Sequence, residues 1–220
     1  MTQNSSASMA GQTVFRGFSL PVFAILIVVF SIATFRRNTV WKGEIEFWSD
    51  VVMKSPLKVR GYSNLGGALV TREMYGDAIR HLKKAIAIDA NYENPHYNLG
   101  VAYIETGLLT EAVFEFEEIL RIEEFLSGGH YGYGRSPRSV VRANATLGNI
   151  YSMKGEHEKA IDHYNEALKF APEDASTRYN LALAYKKTGK KDEAVREFEE
   201  VLKINPRDEG ALWNMSVLKK

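Results

Sequence analysis

The chain has 220 residues, 45% hydrophobic and 25% charged, ample material for one elongated domain. A formal net charge of +1 argues against the basic footprint of a nucleic-acid-binding surface, so no nucleic acid is expected among its partners. The chain has no cysteine, which excludes disulfides and thiol chemistry and fits either side of a membrane.

Residues 1–17, MTQNSSASMAGQTVFRG, are small and polar and predict a disordered tail. Phe18 to Phe35 then run without a charge between Arg16 and Arg36-Arg37. At about 1.5 Å of rise per residue this run reaches roughly 27 Å, just adequate for a bilayer core of about 30 Å. Ser19 can cap its start, and Pro21 falls in the first turn, where its missing N–H does no harm. A cleaved signal peptide wants a cationic region directly ahead of the apolar run and small residues at the cut. Here Arg16 stands alone, and Ile32-Ala33-Thr34-Phe35 is a poor cleavage site. A buried core helix is the other alternative. The sequence predicts an uncleaved single transmembrane helix over 18–35. Arg36, Arg37 and Lys42, against Arg16 and the amino terminus, tilt slightly toward a cytoplasmic C-terminal side.

Past the junction the chain repeats itself. Leu65-Gly66 returns as Leu99-Gly100, Leu147-Gly148 and Leu181-Ala182, at separations of 34, 48 and 34. The middle value is one period plus an insertion of 14. With Val59 as the first position, the copies are 59–92, 93–126, 141–174 and 175–208. Position eleven reads Leu69, Tyr103, Tyr151, Tyr185, and position twenty is Ala78, Ala112, Ala160, Ala194. Position twenty-four reads Leu82, Phe116, Tyr164, Phe198, and position twenty-seven Ala85, Ile119, Ala167, Val201. Small residues at eight and twenty allow two helices, A and B, to approach closely. Large ones at seven, eleven and twenty-four fill the seam, at very roughly 1.5–3 kcal/mol for each side chain fully buried. Between the helices stand Tyr75-Gly76-Asp77, Thr106-Gly107, Lys154-Gly155-Glu156 and Thr188-Gly189-Lys190, where glycine tolerates positive φ and can end helix A. Pro172 and Pro206, at position thirty-two, end helix B.

The period and its residues resemble the tetratricopeptide repeat (TPR) family over residues 59–208. The resemblance implies an all-α solenoid, a right-handed superhelix of helix pairs that serves as a binding scaffold. Counting back from Pro56 puts Trp48 at position twenty-four and Val51 at twenty-seven, so residues 43–55 read as a lone helix B within the junction 36–58. Glu44 falls where alanine is expected, so that fit is partial. Residues 209–220 read as a final capping helix A, with Leu212 and Met215 on its apolar face.

The junction, with Arg36-Arg37-Asn38-Thr39-Val40-Trp41 and then Phe47-Trp48, resembles that of multi-pass membrane O-mannosyltransferase-like TPR proteins. In that group the last membrane helix leads into repeats on the extracytoplasmic side. This chain offers one span where they have many, and lacks their membrane-embedded catalytic half. The resemblance therefore implies an extracytoplasmic location and a possible multi-pass glycosyltransferase-like partner, but no activity.

In TPR solenoids helix A lines the concave face, so the ligand site is expected there. Position six reads Asn64, Asn98, Thr146, Asn180. A carboxamide both donates and accepts, so such a ladder can hold an extended peptide by its backbone. It resembles the asparagine ladder of the O-linked N-acetylglucosamine transferase repeats, although asparagine is also simply common at this position. Around it stand Arg60, Tyr97, Arg142 and Asn149, then Tyr179, Lys186 and Lys187, a cationic and aromatic set suited to an acidic or C-terminal carboxylate ligand. The carboxylate clamp of chaperone-binding TPRs is not met, because Ser63 and Gly67 occupy two of its slots.

The insertion 127–140, SGGHYGYGRSPRSV, offers Tyr131, Tyr133 and Arg135 as possible loop contacts, or is a tolerated surface loop. His81, His96, His130, His157 and His163 read as solvated surface histidines. His157 and His163 are six apart and point to different faces, so no shared metal is expected. Glu115, Glu117 and Glu118, like Glu197, Glu199 and Glu200, read as solvated helix faces. No phosphate loop or nucleophile elbow is present, so neither catalysis nor a cofactor is expected. The sequence points to a membrane-anchored adaptor for peptides or partner proteins. The alternatives are the separated repeat half of a glycosyltransferase-like complex, with catalysis on another chain, and a cytoplasm-facing receptor for targeting or chaperone clients.

Overall fold

The structure, a computed structural model, describes residues 27, 30, 31, 43–126 and 137–219. Contacts divide the chain into Met1–Phe47 and Trp48–Lys220. The predicted tail 1–17 and most of the predicted span 18–35 lie outside the described residues, and of the span Ile27, Phe30 and Ser31 are helical and exposed. Among the described residues no helix is long and apolar enough to cross a membrane.

From residue 43 onward the described residues form ten helices and no strand. They are α1 (Glu44–Lys54), α2 (Val59–Thr71), α3 (Tyr75–Ile88), α4 (Glu93–Glu105), α5 (Leu109–Phe125), α6 (Pro137–Met153), α7 (His157–Phe170), α8 (Ala175–Lys187), α9 (Lys191–Ile204) and α10 (Glu209–Leu218). Each repeat is one antiparallel pair, and each B helix packs on the next A helix, which is the neighbour-only packing of a solenoid.

The register set by sequence is the register of the core. Leu65, Leu99, Leu147 and Leu181 at position seven are all at most 2% exposed, as are the position-twenty alanines. Leu82, Phe116, Tyr164 and Phe198 fill the room left at position eight. A Cβ added at Gly66, Gly100 or Gly148 would fall 2.4, 2.6 or 2.4 Å from its position-twenty-four partner, so a bare backbone is what admits the ring or isobutyl group. In the fourth repeat Ala182 and Phe198 coexist, both fully buried.

The A-to-B turn is the same in every repeat. The N–H of position sixteen donates to the carbonyl of position eleven: Met74 to Leu69, Leu108 to Tyr103, Glu156 to Tyr151 and Lys190 to Tyr185, at 2.8–3.0 Å. This turn needs positive φ at position fifteen, which Gly107, Gly155 and Gly189 supply at 77–79°. In the first repeat the position belongs to Glu73, at φ 60°. The assignment of that turn to Gly76 is thereby corrected: Gly76 lies inside α3.

The other corrections concern boundaries. Helix α6 begins at Pro137, four residues before the expected start of repeat three, because proline suits a first helical turn. Residues 137–140 of the insertion are therefore helical, and 127–136, with His130, Tyr131, Tyr133 and Arg135, lie outside the described residues. Residues 44–54 are helical as α1, and the C-terminal helix α10 is capped by Asp208 through the N–H of Ala211.

Candidate functional site

A strip of A-helix side chains runs from repeat to repeat, with side-chain contacts joining the second repeat to the third, the third to the fourth, and the fourth to α10. Arg142, in α6 and at position two of repeat three, lies with its guanidinium carbon 3.8 Å from the ring centre of Tyr97, in α4 and at position five of repeat two. Tyr97 is itself fixed edge-on by Phe116 of the core, with ring centroids 5.6 Å apart. Glu93, Asn94, Ile119 and Ser139 complete a small pocket around that stack. Glu93 faces Ser139, whose hydroxyl donates to Oε2 at 2.5 Å. Further along, Asn180 Nδ2 donates to Asn149 Oδ1 at 3.0 Å, and the same oxygen accepts the Tyr164 hydroxyl at 2.8 Å. Burial pushes that Tyr164 phenol up to about 12, so it remains a donor at any ordinary pH.

The structure places every groove residue on or near this strip with some surface open. Arg60, Arg142, Asn149 and Lys187 are exposed, and Asn64, Asn98, Thr146 and Asn180 are half-buried. Tyr97, Tyr179 and Lys186 are half-buried too. Thr146 turns its hydroxyl back onto the Arg142 carbonyl at 2.8 Å, so that rung spends its donor within its own helix.

Two residues of the strip escaped the sequence reading. Asn214 in α10 stands 34 residues after Asn180 and so forms a fifth rung of the ladder. Its Oδ1 accepts from Lys186 Nζ at 2.7 Å, and its Nδ2 donates to the Gly210 carbonyl at 2.8 Å and the Tyr179 hydroxyl at 3.3 Å. Beside it Trp213, 63% exposed, lies under the same lysine, 5.1 Å from ring centre to Nζ. The period alone could have found both.

A second column of polar side chains is structural, and it corrects the reading of the histidines. Position four of helix A meets position twenty-three of helix B, 19 residues on, in every repeat. In the first repeat Tyr62 stacks on His81 at 6.0 Å. In the second, His96 Nδ1 and Glu115 Oε2 are 2.7 Å apart, both residues buried, and His96 Nε2 donates to the Ala90 carbonyl at 3.0 Å. In the third, His163 Nδ1 donates to Asn144 Oδ1 at 2.9 Å while its ring stacks on Tyr151. In the fourth, Arg178 pairs with Glu197 at 2.7 Å and donates to the Pro172 carbonyl. His96 and Glu115 are thus not solvated. They lie in the A–B seam, where His96, like Arg178, also reaches position thirty-two of the preceding repeat. His81 and His163 are half-buried, and desolvation lowers the pKa of each. His157 is half-buried as well, with its Nδ1 buried and unbonded. Among the described residues no group of three His, Cys, Asp or Glu side chains is placed to hold a metal ion.

Comparison with known proteins agrees with this geometry. Models described as "TPR repeat" and "Tetratricopeptide repeat" match residues 66–107 and 148–189, 94–125, and 175–208. The photosystem I assembly protein Ycf3 of Synechococcus sp. (strain CC9605) is 32% identical over 92 residues, which is 42% of this chain and 47% of that protein. The protein O-mannosyl-transferase Tmtc2 of Drosophila melanogaster is 31% identical over 83 residues, 38% of this chain and 9% of that protein. The chain spans between 9% and 47% of the length of the curated relatives it matches. Among solved structures, a crystal structure of MamA superposes with a TM-score of 0.65 at 25% identity, covering 78% of this chain and 92% of that one.

Proposed function

Because this chain belongs to the tetratricopeptide repeat family, we propose that it is a membrane-anchored scaffold that binds peptides or partner proteins along its A helices and has no catalytic role of its own. The observation that carries the reading is the accessible strip from Asn64 to Trp213, where amides, aromatic rings and cations recur at the repeat period. Amides that donate and accept suit a peptide backbone, and stacked aromatics and cations suit its side chains. Similarity to Ycf3, described as an assembly protein, supports a scaffold over an enzyme. The anchor is the charge-free run 18–35, in which Ile27 and Phe30 expose their side chains. The repeats face the extracytoplasmic side, in keeping with the resemblance of the junction. Impermeant labelling of single cysteines introduced at Ser5 and Lys220 in intact cells tests this orientation. Labelling at Ser5 alone would reverse it.

The matches to Tmtc2 and Tmtc3 favour a second reading, in which the chain is the separated repeat half of a glycosyltransferase-like complex. Purification from detergent distinguishes the two: a stoichiometric multi-pass partner supports the split enzyme, and its absence supports the scaffold.

A further inference from the structure

The turns that lead from a B helix into the next A helix share one architecture, and the first of them departs from the others in its chemistry. In the four described turns the N–H of position thirty-four donates to the carbonyl of position thirty-one: Lys58 to Ser55, Tyr92 to Asp89, Asp174 to Ala171 and Asp208 to Asn205, at 3.1–3.4 Å. At the tip, position thirty-three, the later turns expose polar residues, Asn91, Glu173 and Arg207. The first turn places Leu57 there, 82% exposed. Four residues earlier, position twenty-nine carries Met53, 76% exposed, where the later repeats have Ala87, Arg121, Lys169 and Lys203. Leu57 and Met53 are the two most exposed large hydrophobic side chains among the described residues.

The charges around this turn are one-sided. Position thirty-four precedes the next helix, and Asp174 and Asp208 use it to cap α8 and α10 through the N–H groups of Ser176 and Ala211. In the first turn the slot belongs to Lys58, which makes no side-chain cap and sets a cation at the positive end of the α2 dipole. The stability of α2 gives no reason for it. Lys58 and Arg60 are exposed, with no carboxylate within ion-pair distance among the described residues, while Lys54 pairs with Asp50 at 2.7 Å. The same bias runs through the sequence. Residues 1–72 hold eight Lys or Arg against three Asp or Glu, and residues 73–220 hold twenty against twenty-four. From Val51 to Arg72 there is no acid.

We infer that the first turn is a membrane-surface contact: Leu57 and Met53 enter the interfacial layer of the bilayer, and Lys58 and Arg60 beside them meet anionic phospholipid headgroups. Apolar side chains interleaved with unpaired cations suit such a surface, which takes up the first and attracts the second. The inference rests on the anchor reading above. Residues 36–52 alone separate the turn from the charge-free run 18–35, fewer than for any other described turn. A chain anchored by that run holds the turn at high local concentration over lipid, so a weak contact suffices. The later turns, with Glu173, Asp174 and Asp208, stay in solvent.

The chain lacks cysteine, so a single one can be introduced as a labelling site. The full chain carrying Met53→Cys, labelled with the environment-sensitive fluorophore NBD, is reconstituted into nanodiscs doped with nitroxide-labelled lipid. One set of discs mixes phosphatidylcholine with phosphatidylglycerol, and the other is phosphatidylcholine alone. Ala87→Cys, the same position one repeat later, is the control. In the anionic discs the label at 53 should be quenched about twofold or more above the control, and the excess should shrink in phosphatidylcholine and in about 1 M salt, where the screening length is about 3 Å. Leu57→Asn, which copies the tip of the next turn, should lower the excess. Lys58→Asp should remove it while leaving the thermal midpoint unchanged or higher, since aspartate supplies the cap found at α8 and α10. Equal quenching at both sites, or an excess untouched by Leu57→Asn and Lys58→Asp, overturns this inference and leaves the anchor reading intact. A blue-shifted label at 53 that nitroxide lipid does not quench assigns the turn to a protein surface and also overturns it. Absence of the chain from the purified discs overturns both.

Discussion

Replacing His96 by alanine should cost about 3–5 kcal/mol of stability, the range for stranding one partner of a buried ion pair. His96 is 3% exposed and Glu115 7%, and their 2.7 Å contact lies in the seam between α4 and α5, where water cannot substitute without opening the repeat. Glu115→Ala should be milder. A neutral imidazole still donates from Nε2 to the Ala90 carbonyl, so the loss is one charge-assisted bond, about 1.5–3 kcal/mol. The double variant should fall short of the sum of the two by more than about 0.5 kcal/mol, because both singles delete the same bond. The pair also has a pH signature. Burial by itself lowers the pKa of His96, but its bonds to Glu115 and Ala90 outweigh that and leave it raised. A raised histidine contributes stability that is complete below its unfolded value of about 6.5 and is lost as pH rises through the higher folded value. The gap between wild type and Glu115→Ala should therefore narrow as pH climbs above neutrality. Urea titrations of the full chain in mild detergent, followed by far-UV circular dichroism across that range, measure both effects. Strict additivity together with a pH-independent gap would refute the reasoning.

Glu73→Gly should stabilise the first repeat by about 1 kcal/mol, since Glu73 holds the positive φ that glycine supplies elsewhere; a lower melting midpoint would contradict it. Gly100→Ala should lower that midpoint, as its Cβ would sit 2.6 Å from Phe116 Cε2. Overpacking of that kind costs about 1–3 kcal/mol against a gain of up to about 1 kcal/mol in helix propensity. The chain should remain uncleaved in the membrane pellet after high-pH carbonate treatment, and its release, or a mature terminus near residue 34, would remove the anchor.

Helix boundaries were legible wherever the period was carried by core residues. Helices α2, α4, α8 and α10 begin at Val59, Glu93, Ala175 and Glu209, each the first position of its repeat. The turn of repeat one was misread because Glu73 holds a conformation that sequence assigns to glycine, and the nearby Gly76 drew the assignment away. The start of α6 was misjudged because Pro137 opens the helix within a glycine-rich stretch. The buried His96–Glu115 pair was missed because each residue alone looks solvated. The signal lies between them, a constant spacing of 19 that joins complementary partners in all four repeats. At the candidate site the rung positions were legible, but their availability was not. Whether an asparagine is open depends on the residue one repeat back, Gly67 or Asn149, and that juxtaposition exists only after folding.

The central claim, that binding occurs on the A-helix strip, is tested most directly by photo-crosslinking in living cells. Benzoylphenylalanine placed at Asn64 or Lys187 samples the strip, and at Asp162 or Arg196 the exposed B-helix surface. Discrete adducts from the first pair and none from the second are the predicted result. Adducts from Asp162 or Arg196 alone would move the binding surface to the B helices and contradict the account.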